Sequence, residues 1–195
     1  MSLKDTKTTT SGLSWDAMHG LLVSLKRDGK LREYLLIATG CYFGLRISDL
    51  LNLKYSDVLE KDEFILTEHK TGKRRKVTIN VFVKEALIFV SNQRIREGAF
   101  NADGFLFTNR RGGRITVQFA NLTLHQVFKD YNIRVQNGSS HILRKSFGKR
   151  VWENDNKSER ALIYLSEIFS HSSLSITKRY IGILENQIAD VYLQL

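Results

Sequence analysis

Not one proline occurs in the 195 residues of the chain. Average usage would supply roughly ten. Proline stops helices because it lacks a backbone N–H and its ring clashes with the preceding turn. A chain without it can run helix after helix, and must punctuate them with glycine and short polar turns. Apolar spacing agrees. Met18, Leu21, Leu22 and Leu25 repeat at helical intervals behind a Ser14-Trp15-Asp16 start signal and stop at Asp28-Gly29. A second helix is expected from Leu31 to about Tyr42, interrupted by Phe43-Gly44. A short third should carry Ile47, Leu50, Leu51 and Leu53.

The period changes once. Phe64-Ile65-Leu66 and Val77-Thr78-Ile79 flank the turn Lys70-Thr71-Gly72-Lys73-Arg74-Arg75, which predicts a β-hairpin with a basic tip. Helical spacing returns through Val83, Leu87, Val90 and Ile95. After the turn Asn109–Arg114 it resumes through Phe119, Leu122, Leu124 and Phe128, then over His141–Trp152, Leu162–Phe169, Ile176–Ile183 and Gln187–Leu195. The expected fold class is mainly α with a small antiparallel β-sheet (α+β). Residues 1–13, polar and without periodicity, read as a flexible lead, and residues 14–195 as one domain.

Composition narrows the function. Thirty Lys+Arg against twenty Asp+Glu leave a net charge of +10. Such an excess favours a polyanionic partner, because lysine and arginine at phosphates release condensed counterions. A single cysteine, Cys41, excludes an internal disulfide and a thiolate-rich metal site. No apolar stretch reaches the roughly 20 residues of a membrane span. Familiar enzyme motifs fail: Lys70-Thr71-Gly72 and Ser146-Phe147-Gly148-Lys149 stand in the reverse order of a penicillin-binding site. No GxxxxGK[ST], GxGxxG or HExxH occurs.

Four separated elements do suit a phosphodiester substrate. In Gly44-Leu45-Arg46-Ile47-Ser48-Asp49 a cation opens a largely apolar helix, and Asp49 shares its face three residues on. Asp49 could therefore hold the guanidinium, or the two could form a plain structural pair. Lys70 stands where the first strand enters the hairpin turn. It could clamp a phosphate or donate a proton, while Lys73, Arg74, Arg75 and Lys76 read as solvated DNA contacts. His141-Ile142-Leu143-Arg144 puts an imidazole and a guanidinium on one helix face, after serines 139 and 140 that could cap it. His171 precedes Tyr180 by nine residues, and by itself Tyr180 could equally be a half-buried core residue.

In this order and spacing the elements resemble the catalytic domain of the tyrosine recombinases, the phage-integrase family. Its signature runs G-L-R-x-S-[DE], a hairpin Lys, H-x-L-R, then G-H-S-S and a Tyr nine residues after that His. The resemblance covers Ser14 to Leu195. It implies that Tyr180 attacks a DNA phosphodiester to leave a 3′-phosphotyrosyl link, that Arg46, Arg144 and His171 stabilise the transition state, that His141 takes the phenolic proton, and that Lys70 protonates the leaving 5′-oxygen. It further implies double-stranded DNA as partner, a homotetramer on DNA, no metal, ATP or other cofactor, and a cytoplasmic, nucleoid-associated place in a bacterium or phage-bearing cell. The competing expectations are a type IB topoisomerase and a silent DNA-binding fragment. Residues 1–13 are too short for the family's N-terminal core-binding domain, so a monomeric catalytic fragment with weak, salt-sensitive DNA binding is expected.

The chain departs from the family pattern at three supporting places. Phe169-Ser170-His171 stands for Leu-Gly-His, Lys145 for the usual His or small polar residue and counted here as a DNA contact, and Thr78 or Ile79 for a proline. Lys73 competes with Lys70 as the hairpin lysine. Ile188, Val191, Leu193 and Leu195 could offer an apolar surface to a neighbouring protomer or pack on their own domain.

Overall fold

A computed structural model describes residues 12–135, 137–183 and 192–193. Helices α1 (Trp15–Arg27) and α2 (Leu31–Phe43) open the fold, followed by two single turns, α3 (Ile47–Leu50) and α4 (Tyr55–Val58). The hairpin comes next, with β1 (Glu63–Thr67) antiparallel to β2 (Arg74–Thr78) and Leu66 opposite Arg75. Among the described residues five further named helices follow: α5 (Val81–Arg96), α6 (Val117–Asp130), α7 (His141–Asn154), α8 (Glu159–Phe169) and α9 (Leu174–Ile181). The expected α+β class holds. In the second basic turn only single bridges form, Lys54 with Phe105 and Thr108 with Arg114.

Helix α2 is the axis of the molecule. Its residues Tyr34 to Cys41 are buried on every side, and it packs against α1, α5 and α7. A helix apolar all round has to sit inside the fold. Gly40 lets α7 approach: a Cβ there would lie 2.5 Å from Leu143 Cδ1. At its C-terminal end Gly44 takes a left-handed φ of 57°, which turns the chain so that Arg46 stands at the N-cap position of α3 with its side chain left for other partners.

Several local expectations need correcting. The ordered domain starts before Ser14, because Leu13 is buried and its N–H donates to Ser146 Oγ at 2.7 Å. Phe119 and Leu122 are exposed; α6 buries the expected Leu124 and Phe128 together with Ala120 and Val127. Ser140 does not cap α7 with its hydroxyl, its own backbone being helical, and its N–H donates to Asn121 Oδ1. Of the C-terminal stretch, Ile188, Val191 and Leu195 lie outside the described residues, while Leu193 is exposed.

The buried apolar side chains form two clusters. The larger runs from Leu13 to Leu143, and the smaller joins Trp152, Ala161, Leu162, Leu165, Phe169 and Ile181. Helix α7 serves both.

Candidate active site

The cleft lies on the seam between the two clusters. Arg46, Lys70, His141, Arg144, His171 and Tyr180 all line one cavity of about 430 Å³, with Ser48, Thr71 and Ser170 among its other walls. Six residues spread over 135 positions are thus brought together by α3, the hairpin turn, α7, the α8–α9 turn and α9. Lys73 is exposed and is not among the lining residues, which favours Lys70 as the hairpin lysine of the cleft.

Both arginines are anchored through backbone carbonyls. Arg144, only 5% exposed, donates to Gly44 O at 2.7 Å and Phe169 O at 3.1 Å, with its guanidinium 4.3 Å from the Phe169 ring centre. Burial pushes its pKa down to about 10, so it stays charged at neutral pH. Arg46 Nη2 also donates to Phe169 O at 3.1 Å. A single carbonyl at the end of α8 therefore holds two guanidiniums side by side, and each keeps further N–H donors for an anion.

The carboxylate that holds Arg46 is not Asp49. Arg46 Nη1 donates to Glu68 Oε2 at 2.6 Å, while Asp49 Oδ1 accepts the His69 N–H at 3.0 Å and thereby ties α3 to the hairpin backbone. Glu68 follows Phe64 and Leu66 at period two, on the inward face of the hairpin. That alternation is its signal in the sequence. Burial alone would raise the Glu68 carboxyl, but hydrogen bonds from Thr71 and Arg46, and the charges of Arg46 and Arg144, hold it below its ordinary range.

Two expected DNA contacts are also corrected. Arg75 alternates inward with Val77 and Ile79, and donates to Phe43 O at 3.0 Å and Ile168 O at 3.2 Å. Lys145 is 7% exposed, with its ammonium 5.4 Å from the centre of the Tyr180 ring. Neither is a solvated phosphate contact. Lys73 and Arg74 are exposed as expected, and Lys76 pairs with Glu63 at 2.7 Å.

The Tyr180 end is ordered by packing. Ser173 caps α9 through Ile176 N, and the Tyr180 ring stands 5.3 Å from both Phe169 and His171. His171 Nδ1 is hydrogen-bonded to the buried Thr177 Oγ1 at 2.9 Å. Burial and the charges of Arg144 and Arg46 push the His171 pKa down to about 4, so its imidazole is neutral at pH 7. Partial burial, then Lys145 and Arg144, lower His141 as well. Burial raises the Tyr180 phenol, and the pull of Arg144 and Arg46 in the opposite direction does not cancel it. The cations favour the phenolate, as expected, yet the desolvation is the larger effect.

The Phe169-Ser170-His171 departure has a physical explanation. Ser170 caps α8 with a left-handed φ of 53°, the conformation glycine adopts without penalty. Its hydroxyl, 3.3 Å from Glu68 Oε2, offsets part of that strain. For Lys145 in place of the usual His or small residue, and for the missing proline, the structure supplies no cause.

A mainly helical fold with one small hairpin, and a cleft lined by two arginines, two histidines, a lysine and a tyrosine, defines the tyrosine-recombinase type of catalytic domain. The chain belongs to the phage integrase family, whose model matches residues 14–187. It is 31% identical to the probable integrase/recombinase YoeC of Bacillus subtilis, over 83% of each chain. It is 24% identical to the tyrosine recombinase XerH of Campylobacter jejuni over 79% of its own length, but spans only 42% of that relative. Among solved structures, the XerA recombinase superposes with a TM-score of 0.71 at 24% identity, covering 94% of this chain and 64% of XerA. The XerH post-cleavage complex with palindromic difH gives 0.72 at 21% identity, covering 98% of this chain and 55% of XerH. These two likenesses concern the fold.

Proposed function

We propose that this domain cleaves and rejoins double-stranded DNA at specific sites through a covalent phosphotyrosine. The observation that carries the reading is the convergence of Arg46, Lys70, His141, Arg144, His171 and Tyr180 on one cleft. Tyr180 Oη attacks the phosphorus; the Oη–P bond forms, the P–O5′ bond breaks, and a 3′-phosphotyrosyl link and a free 5′-hydroxyl result. Because the Tyr180 phenol is held above its ordinary pKa, its proton needs an acceptor. His141, whose pKa is held low, is neutral and suited to that task.

Charge builds on the non-bridging oxygens as the nucleophile approaches. Arg46 and Arg144, anchored on Phe169 O, meet it without reorganising, and His171 adds a hydrogen bond. Lys70 supplies the proton to the leaving O5′. Attack by the 5′-hydroxyl of a second duplex reverses each step, and the bond energy is conserved in the phosphotyrosine. Lys73 and Arg74 would contact the duplex backbone. Strand exchange requires several copies of the catalytic unit on DNA, in the cytoplasm where the nucleoid lies.

The test is a pool of nicked suicide duplexes with a randomised core, incubated with the wild type and with Tyr180→Phe, and resolved on a denaturing gel. A covalent adduct from the wild type alone is expected. No adduct from the wild type overturns the reading, and equal adducts from both remove Tyr180 as nucleophile. Supercoil relaxation without transfer to a second duplex would assign a type IB topoisomerase activity instead.

A further inference from the structure

Glu68 is only 1% exposed, and a carboxylate is left inside a protein at considerable cost unless its lone pairs are met. Here one oxygen does most of the bonding. Glu68 Oε2 accepts from Arg46 Nη1 at 2.6 Å, Thr71 Oγ1 at 2.8 Å and Ser170 Oγ at 3.3 Å. The other, Oε1, lies 3.9 Å from Arg75 Nη1 and has no hydrogen bond. Each partner is a cleft residue or the neighbour of one: Arg46 itself, Thr71 beside Lys70, and Ser170 beside His171.

Three guanidiniums, of Arg46, Arg75 and Arg144, influence one another here, against the carboxylates of Glu68 and Asp49. These five groups sum to one positive charge, to which Lys70 on the cleft wall and Lys145 over Tyr180 add, a surplus that suits a phosphodiester. The Arg46 plane is fixed at two nitrogens, by Glu68 on Nη1 and by Phe169 O on Nη2, and its remaining N–H donors are free to meet an oxygen of that phosphate.

We propose that Glu68 is a positioning residue: it sets the Arg46 guanidinium at the phosphate site and clips the Lys70 turn and the His171 turn to it as one unit. The proposal rests on the DNA-cleaving reading above, and a merely structural buried ion pair is its rival. A structural pair would change how much protein folds; a positioning residue changes the rate at which folded, DNA-saturated protein reacts.

Glu68→Gln keeps the volume and an acceptor for Thr71 and Ser170 but removes the charge. Adduct formation is measured under saturating suicide duplex, at a temperature where circular dichroism shows each variant folded. The expected result is a DNA Kd within about threefold of wild type and a cleavage rate lower by about thirtyfold or more, with Glu68→Asp recovering part of it. Should Glu68→Gln fail to fold, Thr71→Val removes the 2.8 Å bond to Glu68, together with the long 3.4 Å bond that Thr71 Oγ1 accepts from the Lys73 N–H, and should slow cleavage by about three- to tenfold at unchanged Kd. Equal rates per folded molecule overturn the proposal. Side-chain 15N spectra separate its failure from that of the cleavage reading. An Arg46 guanidinium held rigid in wild type should rotate faster in Glu68→Gln, where Phe169 O remains its one charge-independent anchor, whether or not any adduct forms, and equal rigidity in both overturns the clamp.

Discussion

Arg46 and Lys70 are held by elements of the larger apolar cluster, while His171 and Tyr180 stand on the smaller one. The two differ in mass: 34 buried apolar side chains against 6 among the described residues. Local stability follows the amount of apolar surface a region buries. The α8–α9 unit that carries Tyr180 should therefore open more readily than α2 and α5, while the bonds of Arg75 to Ile168 O and of Ser170 to Glu68 tie the hairpin to it. The proposed site is divided accordingly: Arg46 and Lys70 sit on the larger part, and His171 and the proposed nucleophile Tyr180 on the smaller one. What joins them is Phe169, whose carbonyl serves both arginines and whose ring touches Phe147, His171 and Tyr180.

The largest expected effect comes from Phe169→Ala. Removing a fully buried phenylalanine costs about 3–5 kcal/mol. Hydrogen exchange should accelerate across α8 and α9, with α2 and α5 far less affected. Uniform acceleration would mean that the two clusters unfold as one.

Acid should single out the smaller unit next. His171 is neutral in the folded protein, with a pKa of about 4 against an ordinary 6.5. Its contribution to stability is complete above pH 6.5 and is eroded as the pH falls toward 4, by at most about 3 kcal/mol for a shift of this size. Urea midpoints measured between pH 7 and 4.5, with His171→Asn as reference, check the sign. Equal pH dependence in the two proteins would remove His171 as the cause.

A matched pair of glycines sharpens the contrast further. A Cβ on Gly148 would come within 2.6 Å of Ile181 and 3.0 Å of Phe169, whereas on Gly40 it would meet Leu143. Each alanine overpacks its site by about 1–3 kcal/mol. Gly40→Ala should lower the global Tm, while Gly148→Ala should displace α9 and depress adduct formation beyond what its Tm explains. Reversed outcomes would break the division of labour.

Smaller still is Thr177→Val, which keeps the buried volume and removes the partner of His171 Nδ1. Cleavage should fall about tenfold, the worth of one buried hydrogen bond, at unchanged DNA affinity. Smallest is Ser170→Gly. Relief of the left-handed strain and loss of the 3.3 Å bond to Glu68 nearly cancel, so unfolding should shift by less than about 1 kcal/mol. A loss of twice that would mean the serine is held for its hydroxyl.

How much of this was legible in advance differs by residue. The helices were, because apolar side chains at a period of 3.6 have one way to reach a core. The hairpin was, because its period changed to two. The inward phase of Glu68 and Arg75 was written in the same alternation, but a charged residue at an inward position declares no partner. Arg75 ends on the carbonyls of Phe43 and Ile168, 32 and 93 positions away. Asp49 has the right spacing to hold Arg46, yet the turn geometry hands it the His69 N–H instead.

The sequence by itself determined the class of elements, the family and the six groups that line the cleft, because each depends on local spacing or on a short motif. Only the tertiary structure decided which acid holds Arg46, that Lys145 and Arg75 are withdrawn from solvent, and that one carbonyl anchors both arginines. Those outcomes depend on which chain ends meet at the seam of two cores. Buried hydrogen bonds must be met by whatever group the packing brings there, and no periodicity records that.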